Sequence, residues 1–309
     1  MTAPFVSPDA AQLLAMLAAQ AGPKLRDIPP ADGRAMYVAL AQMADPPPVD
    51  CPTAEIAIPG PAGAIPGRLY GDTASHGPLI VFFHGGGWVI GDLATHDSFC
   101  RHVAASLGLR VLAVDYRLAP EHAFPAAYDD CLATFNWARS GPTELGPKPT
   151  KLGVAGDSAG GNLAAAVALA TRAGGGPDAQ LLLYPAVDMV GRTASYEQFS
   201  QGYMLDADTM DYFGGCYLPD GVDRADPSCS PLLAADHAGA APAVVVTCGL
   251  DPLRDEGRAY AGKLIAAGVN VRYAELPGLI HGVINMRQAL PSAVAPLDAA
   301  LRAFAELLA

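Results

Sequence analysis

Apolar and polar positions along the chain alternate between two rhythms. Residues 79–83, Leu-Ile-Val-Phe-Phe, contain no polar position, the pattern of a strand buried on both faces. Residues 110–114, 151–155, 180–184, 243–248 and 270–276 are further strand-like runs, the fourth of them rich in β-branched residues. Two weaker runs, 54–58 and 67–70, precede them. Segments of helical spacing lie between and after the buried runs, at 96–107, 124–139, 159–172, 255–267 and 291–308. This alternation predicts an α/β fold with a mainly parallel eight-stranded sheet and helices on both faces. Eight strands in one rhythm favour a single domain over the 309 residues.

Two segments break the rhythm. Residues 1–48 read as helix, with Leu13, Leu14, Met16 and Leu17, then Met36, Tyr37, Leu40 and Met43, and they end at Pro46-Pro47-Pro48. Residues 187–236 are loop-rich and carry Tyr196, Phe199, Tyr203, Tyr212, Phe213 and Tyr217.

Composition narrows the partners. Thirty-one acidic against 19 basic residues give a net charge of −12, which argues against nucleic acid and anionic membrane surfaces. No apolar run approaches the ~18 residues of a membrane helix. Met1-Thr2-Ala3-Pro4 offers no basic region before an apolar core, so a secretory leader is not expected and the cytoplasm is the expected compartment. The six cysteines lack metal-ligand spacing and are expected as buried free thiols; neither a metal nor an organic cofactor is implied.

The candidate chemistry sits where strands end. Gly156-Asp157-Ser158-Ala159-Gly160 joins the run 151–155 to an Ala-rich helix, a strand–turn–helix that exposes a serine on a strained turn. A non-glycine residue held at positive φ crowds its neighbours, so the positions two before and two after must be small. The helix begun at Ala159 aims free N–H groups at the place where an oxyanion would form. Upstream, the strand 79–83 runs into His84-Gly85-Gly86-Gly87-Trp88, whose glycines let backbone N–H groups approach a ligand. Gly85, Gly86 and Ala159 are the expected oxyanion donors. His84 is expected to hydrogen-bond within the loop, because it precedes the serine.

Only His237 and His281 follow Ser158. Asp251 falls just after the strand 243–248, and His281 lies in a Gly-flanked loop after 270–276, which puts both on the serine's rim. His281 is the expected base and Asp251 its orienting acid. His237 is expected in solvent. Asp255 is a rival acid, but Asp255 and Glu256 read better as first-turn helix residues. Trp88 and Asp157 are candidate substrate-binding residues; Asp157 also suits a loop-fixing role. Arg117 and Glu121 are expected to pair beneath the catalytic loops.

With these residues the chain resembles the bacterial hormone-sensitive lipase-like esterases of the α/β-hydrolase fold, in the branch with a G-D-S-A-G elbow. The matches are His84–Trp88, Asp115-Tyr116-Arg117-Leu118-Ala119-Pro120-Glu121, residues 156–162, Tyr184-Pro185, residues 251–257 and His281-Gly282, in the family's order across about 50–309. The resemblance implies a Ser158–Asp251–His281 triad, an oxyanion hole from Gly85, Gly86 and Ala159, and a helical cap from about 1–48 and 187–236. It implies hydrolysis of small carboxylic esters of short to medium acyl chain, and a possible homodimer. An amidase or N-formyl hydrolase would use the same triad. Plant hormone receptors of the family lack the histidine that this chain retains. The chain departs from the family at Val283, where an aromatic is common. Because the sheet begins after Pro46–Pro48, residues 1–45 are expected to be separable from the core.

Overall fold

The computed structural model describes residues 4–19 and 22–309; residues 1–3, where no leader is expected, and residues 20 and 21 of the expected cap lie outside that description. Helices α1 (Pro8–Ala19) and α2 (Pro30–Ala44) come first, followed by the hairpin β1 (Thr53–Gly60) and β2 (Gly63–Tyr70). There follow β3 (Leu79–Phe83), α3 (Asp97–Leu107), β4 (Arg110–Val114), α4 (Ala126–Ser140), β5 (Leu152–Asp157), α5 (Ala159–Thr171) and β6 (Ala179–Leu183). The chain ends through α6 (Ala194–Gln198), α7 (Ala207–Tyr217), β7 (Ala243–Leu250), α8 (Arg254–Ala266), β8 (Val271–Ile280) and α9 (Val294–Leu307).

The sheet order is β1-β2-β4-β3-β5-β6-β7-β8, antiparallel at β1/β2 and β2/β4 and parallel elsewhere. From β3 the chain moves outward to β4 on one side, and from β5 it moves to β6 on the other. The loops leaving these two neighbours therefore diverge and open a crevice at their carboxyl ends. Their register pairs Phe83 with Gly156, so the serine turn and the glycine loop start level.

Side-chain alternation divides the sheet's buried residues between two cores. Leu79, Val81 and Phe83 join Val154, Leu182 and Val245 beneath α4, α5 and α8. Ile80 and Phe82 join Ala155, Leu181 and Val246 beneath α3 and α9. β8 outruns its expected end at 276. The Pro277-Gly278 pair, which reads as a stop, is accommodated by a register irregularity between Cys248 and Leu250. Gly278 has φ +73°, and a Cβ there would press on Phe5 and the backbone of Ser7. All six cysteines are free, five buried and Cys216 half-buried. Among the described residues no helix is long and apolar enough to cross a membrane.

Three local expectations are corrected. His237 is buried, with Nε2 3.0 Å from the Pro231 carbonyl and its ring against Tyr260, because the 231–237 loop folds back onto α8. Arg117 and Glu121 do not pair: Arg117 forks onto buried Asp130 of α4 at 2.8 Å, and Glu121 accepts Arg34 of α2 at 2.7 Å. Nor is the N-terminal segment loosely appended. Asp45, at the end of α2, forms a buried ion pair with Arg287 at 2.7 Å, and Ala44 O accepts the N–H groups of Gln288 and Ala289.

Candidate active site

Ser158 stands between β5 and α5 with φ 53° and ψ −118°, a conformation that L-residues avoid unless their surroundings impose it. Three backbone bonds hold it there. Its N–H donates to Leu183 O at 2.9 Å, and its carbonyl accepts Asn162 N at 3.0 Å and Ala186 N at 3.2 Å. A Cβ at Gly156 would collide with Gly160 O, and one at Gly160 with Phe83 O, which is why both flanks are glycine.

Asp251 follows β7 and His281 follows β8, so adjacent strands deliver both to the crevice. His281 Nε2 lies 2.8 Å from Ser158 Oγ, and its Nδ1 lies 2.8 Å from Asp251 Oδ2. Asp251 is fully buried, and its other oxygen accepts Leu253 N at 2.9 Å, which leaves Oδ2 aimed at the histidine. Tyr184 stands edge-on to the imidazole with ring centroids 4.8 Å apart. With Nδ1–H facing a carboxylate, Nε2 is left as the base, able to take the serine proton. Asp255 lies elsewhere: its carboxylate accepts Ser195 N at 2.9 Å and pairs with Arg254 and Arg258.

The glycine loop is braced from below. Tyr116 Oη donates to His84 O at 2.6 Å, and the His84 ring stacks on Tyr116 with centroids 4.2 Å apart. Burial, reinforced by nearby His96, lowers the His84 pKa to about 4. The ring is therefore neutral near pH 7, and its Nδ1–H donates to Gly85 O at 2.8 Å. Gly85 itself is corrected as an oxyanion donor. Its N–H already donates to Asp157 Oδ1 at 2.8 Å and is not available to a substrate. The N–H groups of Gly86, Gly87 and Ala159 have no hydrogen-bond partner among the described residues.

Neither candidate substrate residue faces an open pocket. Asp157 is buried, committed to Gly85 and 3.2 Å from His96 Nε2, so its carboxylate fixes the loop. Trp88 is only 4% exposed and stacks face to face on Tyr217 of α7 at 4.4 Å, joining the glycine loop to the 187–236 insertion. Phe213 of the same helix occupies the space beside Gly87 where a Cβ would stand. Val283 is fully buried in the core under α9, so its small size opens no space for substrate.

Sequence reasoning missed the cluster of buried His96 and Asn285 with half-buried Tyr37 behind the loop. Asn285 Nδ2 lies 2.8 Å from Tyr37 Oη and 3.1 Å from His96 Nε2, joining positions separated by up to 248 residues. No spacing in the sequence signals such a contact. It also missed the anchors of the insertion: Glu256 Oε1 accepts Val187 N at 2.7 Å, and Ser195 Oγ donates to Pro252 O at 2.8 Å.

Comparison with known proteins places this geometry. A family profile described as alpha/beta hydrolase fold matches residues 80–285. The carboxylic ester hydrolase LipN of Mycobacterium tuberculosis is 44% identical over 264 residues, covering 82% of this chain and 70% of LipN. Ethyl acetate hydrolase of Pseudomonas putida is 40% identical over 229 residues, 72% of each chain. The solved structure of ester-hydrolase EH1AB1 from the Lake Arreo metagenome, in complex with a bipyridine phosphonate derivative, superposes with a TM-score of 0.94. It is 40% identical, over 98% of this chain and 99% of that one.

Proposed function

We propose, from the premise that the chain belongs to the α/β-hydrolase fold family and is a carboxylic-ester hydrolase of the hormone-sensitive lipase-like group, that Ser158, His281 and Asp251 carry out the cleavage. The supporting observation is the unbroken hydrogen-bond chain from Ser158 Oγ through His281 to buried Asp251, with both links at 2.8 Å. Ser158 Oγ attacks the ester carbonyl while His281 Nε2 takes its proton, and Asp251 stabilises the imidazolium that forms. Charge on the carbonyl oxygen develops toward the free N–H groups of Gly86 and Ala159, with Gly87 N–H adjacent. His281 then protonates the leaving alcohol. Water, deprotonated by the same imidazole, releases the acid from the acyl-serine.

The substrate class follows from the two segments over the crevice. With about 1–48 and 187–236 read as a cap over the crevice, the acyl chain would have only a bounded space; the stacking of Tyr217 on Trp88 beside the glycine loop supports that reading. Each buried CH₂ adds about 0.8 kcal/mol of binding only while room remains. Esters of about two to eight acyl carbons are therefore preferred over long-chain triglycerides.

Ser158→Ala should lower ester turnover by at least ~10³-fold and abolish phosphonate labelling. Asp251→Asn should cost on the order of 10⁴ by presenting the wrong tautomer to the serine, and Asp255→Asn far less. Turnover of p-nitrophenyl esters from acetate to palmitate reads the chain-length claim: a maximum at palmitate sinks it, and an active Ser158→Ala moves the nucleophile elsewhere.

A further inference from the structure

We propose that Tyr184 is a positioning residue for the base: its ring is the wall that holds the His281 imidazole in the one plane that serves Asp251 and Ser158 together. The inference rests on the reading of Ser158 as nucleophile and His281 as base. Tyr184 acts only through the imidazole.

Backbone strain brings the ring there. Side chains along β6 should alternate between the two cores. Leu181 and Leu183 do lie beneath α3 and α9, and Leu182 lies beneath α4, α5 and α8. Tyr184, next in line, should follow Leu182. It lies instead with Leu181 and Leu183, in the core that also holds Val283 and Ile284 of the histidine loop. The cause is its φ of 37°, which breaks the alternation at the end of the strand. A glycine would adopt that φ freely, whereas an L side chain is strained there. The bond from Tyr184 N–H to Val246 O at 2.6 Å holds the conformation. The strain is kept under a large aromatic ring, so the position requires the ring and not merely the turn.

The ring meets the histidine. Tyr184 is fully buried, and its ring centroid stands 4.8 Å from that of His281 with an interplanar angle of 64°. The imidazole needs such a neighbour. Its bonds to Asp251 and Ser158 leave from Nδ1 and Nε2, and a ring held only at those two atoms can tilt about the line joining them. Once the proton has moved, the Nε2 bond passes from Ser158 Oγ to the leaving oxygen, and Asp251 alone remains bonded to the base. The Tyr184 hydroxyl adds less. Its Oη accepts Ile284 N at 3.4 Å and donates to Asp157 Oδ2 at 3.5 Å, both at the long limit of a hydrogen bond. The ring therefore carries the effect, and its signature is in kcat: a tilted base misplaces the proton transfer without altering how the ester binds.

The test uses the full chain with p-nitrophenyl butyrate. Tyr184→Leu should lower kcat by about 30-fold with KM within about threefold. Tyr184→Phe, which keeps the ring, should recover at least about tenfold of that loss. Tyr260→Leu is the matched control. It removes an equally buried ring of α8 from the core on the opposite face of the sheet, so it should lower Tm comparably while kcat stays within about threefold. A Tyr184→Leu loss expressed in KM, a Phe variant no better than Leu, or equal kcat losses at 184 and 260 would overturn the proposal. The wild-type protein gives an answer even where Tyr184→Leu folds poorly. Nuclear Overhauser contacts between the Tyr184 and His281 rings should persist after a fluorophosphonate has replaced the Ser158 Oγ proton, and their loss rejects the idea. Ser158→Ala separates the two readings. If it remains active, the reading of the nucleophile is at fault; if it is inactive and Tyr184→Leu keeps its full kcat, only the role of Tyr184 fails.

Discussion

The described residues of 4–48 reach the core through polar groups, Asp45 above all, whereas residues 187–236 reach it through backbone anchors and stacked aromatics. Asp45 meets Arg287 within the core, and Tyr37 reaches Asn285 beside His96. Arg34 adds bonds to Val89 O and Ala119 O at 2.9 and 3.1 Å. All of these lead to the histidine loop or the glycine loop. The insertion is fixed instead by Glu256 on Val187 and Asp188, by the mutual bonds of Ser195 with Asp255, and by Tyr217 on Trp88. The N-terminal segment is thus wired to the base and the insertion to the acid's loop. Two segments that look like one cap in the sequence are therefore held differently: the first pairs a buried charge of the core, and the second rests on the start of α8 and on the glycine loop.

The largest effect should come from removing that buried pairing. Asp45→Ala leaves Arg287, only 6% exposed, as an uncompensated buried cation, a defect worth about 3–5 kcal/mol. Urea denaturation should show that loss with a near-native circular dichroism spectrum below the transition. Deleting residues through 45 should go further and prevent stable folding, contrary to the separable segment expected from the sequence. A deleted chain that keeps its unfolding midpoint would reduce the N-terminal segment to a true cap.

A smaller effect, of opposite sign at two buried groups, is expected from pH. His84 has its pKa lowered from 6.5 to about 4 by burial, so the unfolded chain takes up a proton that the folded one refuses. Its contribution is fully present above about pH 6.5 and is lost as pH falls toward 4, at most ~3 kcal/mol. Glu256, under the insertion, is raised by burial, so its contribution is present below the ordinary carboxylate range and declines as pH rises. Stability measured in urea from pH 4 to 8 should lose its acid slope in His84→Gln and its opposing slope in Glu256→Gln. If either substitution leaves its own slope unchanged, that assignment fails.

The smallest effect is at the insertion's anchor. Ser195→Ala removes the bond to Pro252 O and the acceptor for Asp255 N, at a cost of about 1–2 kcal/mol. Because Pro252 adjoins Asp251, the change should also move KM or kcat. A variant unchanged in both would mean that Glu256, the Asp255 bond to Ser195 N and the aromatic stack seat the insertion without the hydroxyl.

The contrast also marks what the sequence carries. Strands buried on both faces are legible because burial itself writes an apolar run: β3 and β4 fall where expected to the residue. β2 begins four residues early, at Gly63, because its Gly and Pro positions disguise a hairpin strand. Ser158, His281 and Asp251 are legible because each follows a strong strand. Gly85 was misassigned because a glycine shows that backbone approaches something closely, without showing whether the neighbour is a substrate or Asp157. Trp88 and His237 were misplaced for a related reason: their partners, Tyr217 and Pro231, lie in the insertion, where no periodicity fixes the path. The buried pair Asp45–Arg287 spans 242 residues and leaves no local trace.

The level pairing of Phe83 with Gly156 sets how the site can fail. Both halves of the reacting centre are measured from one rung of a hydrogen-bonded ladder. A strand slides along its neighbour only in whole residues of ~3.3 Å, and each such step turns every side chain to the opposite face. The distance between nucleophile and glycine loop is therefore a discrete quantity: it has its working value or the sheet has lost its core. Heating should accordingly leave the alignment intact up to the unfolding transition and abolish it there in a single step, with no interval of gradual misalignment.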